Sequence, residues 1–253
     1  MHLWRSCIVL HWDGMNKKNI YVLIHSPLVG GLTWTFVADQ MRQRGLEVIV
    51  PTLNDSSDSK EPYWKQHANS ISQTLGDIPK DTALTLVAHS GAGPLLPVIR
   101  QSIPNPIHAY VFVDAGIPRD GATRLDLMKS EDLNWAQEFQ IYLQGGGRFP
   151  NWSSDDLRKI IPEENVREQL VTELRPRALE FFTESIPVFD GWPDAPCAYI
   201  LFSPPYERAE VEAKQRGWST AKLDTGHFHM LVDAGAVTDM IVNAVKDISS
   251  KTP

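Results

Sequence analysis

The chain has 253 residues, 42% of them hydrophobic and 22% charged, with a formal net charge of −7. That length allows one sizeable core, and the balance describes a globular chain, which excludes a disordered one. The acidic surplus gives no basic footprint for a nucleic-acid backbone, and no apolar run is long enough to cross a membrane. Its two cysteines, Cys7 and Cys197, make neither a disulfide framework nor a metal-ligand spacing, so no metal is expected and a cytoplasmic setting is the default.

The opening stretch MHLWRSCIVLHWDGMNKKN has only a short apolar run before Trp12 and Asp13, which argues against a signal peptide. Met15 precedes KKNIYVLIH and is a candidate start that would make residues 1–14 an appendage. Tyr21–Ile24 then reads as a buried strand, followed by a helical pattern at Trp34, Val37, Ala38 and Met41 that Gly45 stops. Glu47–Val50 is the next strand, Tyr63–Leu75 the next helix, and Leu84–Ala88 a third strand leading into a helix at Ala92–Gln101. Tyr110–Val113 is a fourth strand, Tyr199–Phe202 a fifth and Thr220–Leu223 a weaker sixth, with helices at Ala209–Arg216 and Ala234–Ile248. Strands alternating with helices predict an α/β fold, a mainly parallel sheet with helices on both faces.

One interval breaks that rhythm. Arg119 to Asp194 holds no convincing strand, only short amphipathic pieces at Leu125–Leu143, Ser154–Ile160 and Arg177–Ser185. A helical insertion of this size is more economical than a structureless loop, so residues 119–194 are expected to form a cap within a single domain spanning 1–253.

Ligands in open α/β sheets bind at the carboxyl ends of the strands. Ser90 lies at such an end within Ala88-His89-Ser90-Gly91-Ala92, followed by Gly93. A serine on a tight strand-to-helix turn needs small neighbours two residues either side, and the turn aims the next N–H at the same place as the hydroxyl. An ordinary turn with Ser90 capping the helix is the plain alternative. A phosphate loop fits poorly, because there is no Gly-Lys-Ser/Thr ending and no G-x-G-x-x-G spacing. A serine nucleophile needs a base. His227 in LDTGHFHML follows the last strand, and His229 is its understudy; His25 and His89 read as loop-packing residues, His67 and His108 as surface positions.

The segments YVLIHSPLVGGLTW, LTLVAHSGAGPLL, AYVFVDAGIP and LDTGHFHML, in this order, resemble the α/β-hydrolase superfamily in its serine-nucleophile branch. The likeness runs from about Tyr21 to the C-terminus apart from the cap, and the first segment has the histidine-to-tryptophan spacing of the small esterase and hydroxynitrile lyase members. It implies Ser90 as nucleophile and His227 as base. Most members place the acid in the turn after the fifth strand, but that turn is Ser203-Pro204-Pro205-Tyr206-Glu207, without an aspartate. Glu207 and Asp114 are the candidates. Asp114 stands at the end of the adjoining strand, where some relatives keep their acid and where a buried carboxylate needs a partner.

The resemblance also implies an oxyanion hole from the Gly91 N–H and the residue two after His25, which is Pro27 and has no N–H. Either Leu28 donates, or the Ser26 hydroxyl substitutes, or the hole has one backbone donor. The implied activity is hydrolysis of a small-to-medium carboxylic ester or thioester through an acyl-enzyme. Its alternatives are a lyase, eliminase or cyclase on the same scaffold, or a ligand-binding pseudo-hydrolase. The expected partner is a small molecule with an acyl or ring-bearing apolar part. No cofactor, nucleic acid or membrane is expected, and a homodimer is left open.

Overall fold

The computed structural model describes residues 19–251, so the expectation for residues 1–14 lies outside the described part. Six strands form one parallel sheet in the order β2-β1-β3-β4-β5-β6. They are β1 (Asn19–Ile24), β2 (Glu47–Ile49), β3 (Ala83–His89), β4 (Ile107–Val113), β5 (Cys197–Leu201) and β6 (Ser219–Lys222). The central strands are apolar on both sides because both faces are covered. Ile20, Val22, Leu84, Leu86, Tyr110, Phe112 and Tyr199 enter one core cluster. Their chain neighbours Tyr21, Leu23, Val87, Val111 and Ile200 enter the other. Each fully buried Leu, Ile, Val or Phe contributes about 1.5–3 kcal/mol, so two interleaved sets fix the register.

Helices α1 (Leu32–Gln43), α2 (Tyr63–Thr74) and α3 (Leu96–Ser102) follow the first strands, and the set is completed outside the cap by α8 (Glu207–Gln215) and α9 (Ala234–Lys251). Helices α1 and α9 lie on one face, through Trp34, Val37, Met41, Val237 and Ile241. On the other are α2, α3 and α8, through Ile71, Ile99 and Ala213. Gly45, at φ +78°, takes the left-handed turn that ends α1. The helix expected at Ala92–Gln101 begins later: Ser90–Leu95 is a 3-10 turn and α3 starts at Leu96. Pro94 and Pro97 have no N–H to give to the i−4 ladder, which defers the regular helix.

Between β4 and β5 the cap carries α4 (Arg124–Glu131), α5 (Leu133–Gln144), α6 (Glu164–Thr172) and α7 (Leu179–Thr183). The amphipathic piece read at Leu125–Leu143 is two helices, because Asp132 is extended at φ −145° and its carboxylate caps α5 through the Trp135 N–H at 3.0 Å. Ser154–Ile160 forms turns instead of a helix, and α6 was not anticipated. A third apolar cluster, with Leu28, Leu125, Phe139, Phe181 and Phe182, joins the cap to the loop after β1.

Carboxylates from the cap sit on two helix N-termini of the sheet layer, where N–H groups lack intrahelical partners. Glu173 accepts from the Leu32 N–H of α1 at 2.9 Å. Glu184 accepts from Tyr63 and Trp64 of α2 at 2.8 and 3.1 Å and pairs with buried Arg124 at 2.6 Å. Arg177 forks onto buried Asp55, both contacts being 2.6 Å. His67, expected at the surface, is fully buried and holds the same carboxylate at 2.9 Å. Burial raises the Asp55 pKa and its bonds to His67 and Arg177 lower it; the net result is well below the usual range. His108 is half-buried and meets Ser249 at 3.1 Å. No helix among the described residues is long and apolar enough to cross a membrane.

Candidate active site

Five neighbouring strands deliver polar groups to one end of the sheet: Ser26 after β1, Ser90 after β3, Asp114 after β4, Tyr206 after β5 and His227 after β6. Among the described residues the two non-glycine positions with positive φ are both here, Ser90 at +56° and Asp114 at +45°. Left-handed backbone costs a serine roughly 1–3 kcal/mol and persists where surrounding structure enforces it. Gly93 is part of that enforcement. A Cβ there would lie 2.2 Å from the Gly116 carbonyl oxygen, so only glycine lets the turn after Ser90 pack this closely on the loop after β4.

Asp114 is completely buried, and its carboxylate accepts four hydrogen bonds. Oδ1 takes the Phe202 and Ser203 N–H groups at 2.8 and 3.0 Å; Oδ2 takes the Ser203 hydroxyl and His227 Nδ1, the latter at 2.7 Å. Four donors compensate the desolvation of the anion. They also set the histidine tautomer: with Nδ1–H donating to Asp114, Nε2 is left as a proton acceptor. The His227 ring is partly exposed to the cavity, its side chain retaining 20% accessibility. His89 holds it from behind, donating from Nε2 to the His227 carbonyl at 3.0 Å with ring centroids 4.4 Å apart. Burial pushes the His89 pKa well down, so this ring is neutral, with its proton on Nε2.

Glu207 does not reach this histidine. It is exposed in the first turn of α8 and pairs with Lys222 at 3.4 Å, while Asp114 occupies Nδ1. The reason is local: two prolines turn the chain after Ser203 and start α8 at Glu207, which carries that side chain outward. His229 packs edge-on to Phe202 at 6.0 Å and not on Asp114.

The loop after β1 is fixed from below by His25, whose Nδ1–H donates to the Ser26 carbonyl at 2.9 Å and whose Nε2 accepts from Leu53 at 3.4 Å. Burial lowers the His25 pKa to about 4, so the imidazole is neutral in both contacts. From above, the cap backbone at Arg175 donates to the Leu28 carbonyl at 2.9 Å, and Arg177 reaches the Pro27 carbonyl at 3.4 Å. The Leu28 N–H points to the Ser26 hydroxyl oxygen at 3.4 Å. That hydroxyl borders Gly91, where an added Cβ would stand 3.1 Å from it.

Tyr206 is the residue the sequence reading passed over. Its hydroxyl meets Ser90 Oγ at 3.1 Å, and its ring lies parallel to the His227 imidazole, 5.2 Å away with planes 7° apart. The available signal was Pro204-Pro205, which pins a 3-10 turn directly at the strand end. These groups open into a cavity of about 840 Å³ whose walls include Leu28, Met128, Phe149, Trp152, Phe181 and Phe182. A cavity of that size with apolar walls and a few convergent polar groups is the usual form of a small-molecule site.

No family model matches the chain. A stretch of 137 residues, 51% of the chain, is 23% identical to "Putative methylesterase 14, chloroplastic" of Arabidopsis thaliana, and the match spans 39% of that relative's length. The chain resembles a solved extracellular α/β-hydrolase of a Paenibacillus species, described as sharing structural and functional homology with tobacco salicylic acid binding protein 2. The TM-score is 0.70 at 18% identity, over 89% of this chain and 98% of that one. It resembles tomato methylketone synthase I, solved with 2-tridecanone, at TM-score 0.69 and 13% identity, over 91% and 99% of the two chains. The fold is therefore the α/β-hydrolase fold with an inserted helical cap.

Proposed function

We propose that this chain is a serine hydrolase that cleaves a small-to-medium carboxylic ester or thioester through an acyl-enzyme. The observation that carries the reading is the 2.7 Å bond from His227 Nδ1 to a buried, four-fold-accepting Asp114, beside a serine at φ +56°. In this reading Ser90 Oγ attacks the acyl carbon as its proton passes to His227 Nε2, and Asp114 holds the imidazolium. The tetrahedral oxyanion takes the Gly91 N–H and the Ser26 O–H. Pro27 has no N–H and the Leu28 N–H is directed at Ser26, which leaves the hydroxyl as the second donor. Collapse breaks the bond to the alcohol or thiol, which leaves with the proton from His227. Water then gives a proton to the same nitrogen and adds to the acyl carbon. Breaking the bond to Oγ releases the acid and restores the serine hydroxyl.

The aromatic walls of the cavity support an apolar or ring-bearing acyl group, and residues 119–194 act as the cap of one domain. The methylesterase name of the Arabidopsis relative is in keeping with ester cleavage. One observation favours a second reading, proton-transfer chemistry without an acyl-enzyme: the place of a backbone oxyanion donor is taken by a serine hydroxyl beside proline. A panel of aryl esters and thioesters with acyl chains of graded size separates the two. The hydrolase reading expects turnover that falls by roughly a thousandfold or more in Ser90→Ala and in His227→Ala. Turnover that survives Ser90→Ala would favour the second reading.

A further inference from the structure

Ser90 Oγ lies 3.1 Å from a phenol. Three features make Tyr206 more than a neighbour. Its backbone is fixed by the Pro204–Tyr206 3-10 turn and its N–H bond to the Ser203 carbonyl at 3.2 Å. That same turn supplies Asp114 with two donors from Ser203, so serine, acid and phenol are registered by one short segment. Its ring is stacked on the His227 imidazole, 5.2 Å away with planes 7° apart, so one side chain touches both the serine oxygen and the base. Burial raises the phenol's pKa, so it stays protonated and can donate throughout the neutral range.

We infer that Tyr206 is a catalytic residue that donates its O–H to Ser90 Oγ and stabilises that oxygen when it carries charge. The inference rests on the hydrolase reading and deepens it. The moment that needs such a donor most is deacylation. Hydroxide derived from water has added to the acyl carbon and its proton sits on His227 Nε2; the bond from carbon to Oγ then breaks and Oγ departs with the electron pair. The His227 proton restores the serine hydroxyl, and the acid leaves. Tyr206 keeps its own proton throughout and contributes one hydrogen bond to an oxygen that is negative only in the transition state, the condition under which a bond accelerates a step. By microscopic reversibility the same bond helps Oγ lose its proton during acylation. An activated aryl ester makes acylation fast, so the deficit in a variant appears in deacylation.

The test is Tyr206→Phe, which keeps the ring on His227 and removes one oxygen. The probes are a p-nitrophenyl ester followed in the pre-steady state and intact-protein mass spectrometry on quenched samples, with thermal unfolding to confirm the fold. A donor to a charged oxygen is worth roughly tenfold to a hundredfold in rate. Tyr206→Phe is expected to lower kcat by that factor, lower KM with it, and accumulate acylated Ser90 as a stoichiometric burst. A purely structural role would not produce a trapped acyl-enzyme. Wild-type kcat, or faster turnover because the serine is released, overturns the role of Tyr206 while leaving the hydrolase reading intact. Absence of any Ser90 acylation in the unaltered chain overturns both. Should the phenylalanine variant unfold, Tyr206→Trp, which retains an N–H donor on an aromatic ring, is expected to accumulate less acyl-enzyme than Tyr206→Leu; equal accumulation overturns the inference.

Discussion

Replacing Asp114 by asparagine changes one atom in a group that accepts four hydrogen bonds. The amide oxygen, placed at Oδ1, keeps the Phe202 and Ser203 N–H groups at 2.8 and 3.0 Å, so the backbone of the turn is preserved. The amide NH₂ then replaces Oδ2, where the Ser203 hydroxyl and His227 Nδ1 now donate. The serine can rotate to accept. The imidazole must change tautomer, taking its proton from Nδ1 to Nε2, and Nε2 is then unable to take the proton of Ser90. A triad carboxylate changed in this way elsewhere costs about ten-thousandfold in kcat, or about 5 kcal/mol of barrier. Stability should fall much less, by about 1–3 kcal/mol for the lost charge-assisted bonds. Steady-state hydrolysis of an aryl ester, with urea unfolding of the same preparation, separates the two effects. The expectation is near-complete loss of turnover on a folded protein, and unchanged turnover in Glu207→Gln. A folded Asp114→Asn retaining turnover within about tenfold of wild type would refute the tautomer argument.

Ser26→Ala removes the second oxyanion donor in a loop that has Pro27; kcat for an aryl ester should fall roughly a hundredfold with KM little changed, measured at saturating substrate. Buried His25, with its pKa lowered to about 4, makes the unfolded state bind a proton that the folded state refuses. Stability present above pH 6.5 is therefore lost as pH falls toward about 4, by up to about 3 kcal/mol, and His25→Asn should flatten that slope in urea titrations at several pH values. Arg177→Met leaves buried Asp55 with His67 as its side-chain partner, at a cost of about 3–5 kcal/mol, which calorimetry should register as a fall of roughly 10 °C in Tm.

The four central strands β1, β3, β4 and β5 were legible because parallel strands covered on both faces read as unbroken apolar runs. The partly exposed edge strands β2 and β6 were fainter, and each run sits within a few residues of its strand. The site was partly legible for a related reason. Ser90, Asp114 and His227 stand at strand ends, and strand ends are visible in the chain. The cap was legible only as an interruption. Its helices are short and end on local capping, as at Asp132, and α6 has a weakly apolar face that periodicity does not reveal. His67 looked like a surface histidine because its partner, Asp55, lies in a loop that periodicity does not place, and Arg177 reaches the same carboxylate from the cap. Tyr206 was missed because its importance is a contact with a residue 116 positions away; Pro204-Pro205 marks the turn at the strand end but not that contact.

The central claim is that Ser90 is an activated nucleophile, and exposure to a small fluorophosphonate followed by intact-protein mass spectrometry tests it most directly. The account predicts one adduct on the unaltered chain, mapped to Ser90, absent in Ser90→Ala and lost or greatly slowed in His227→Ala. A folded protein that takes up no label, or takes it up elsewhere than Ser90, would contradict it.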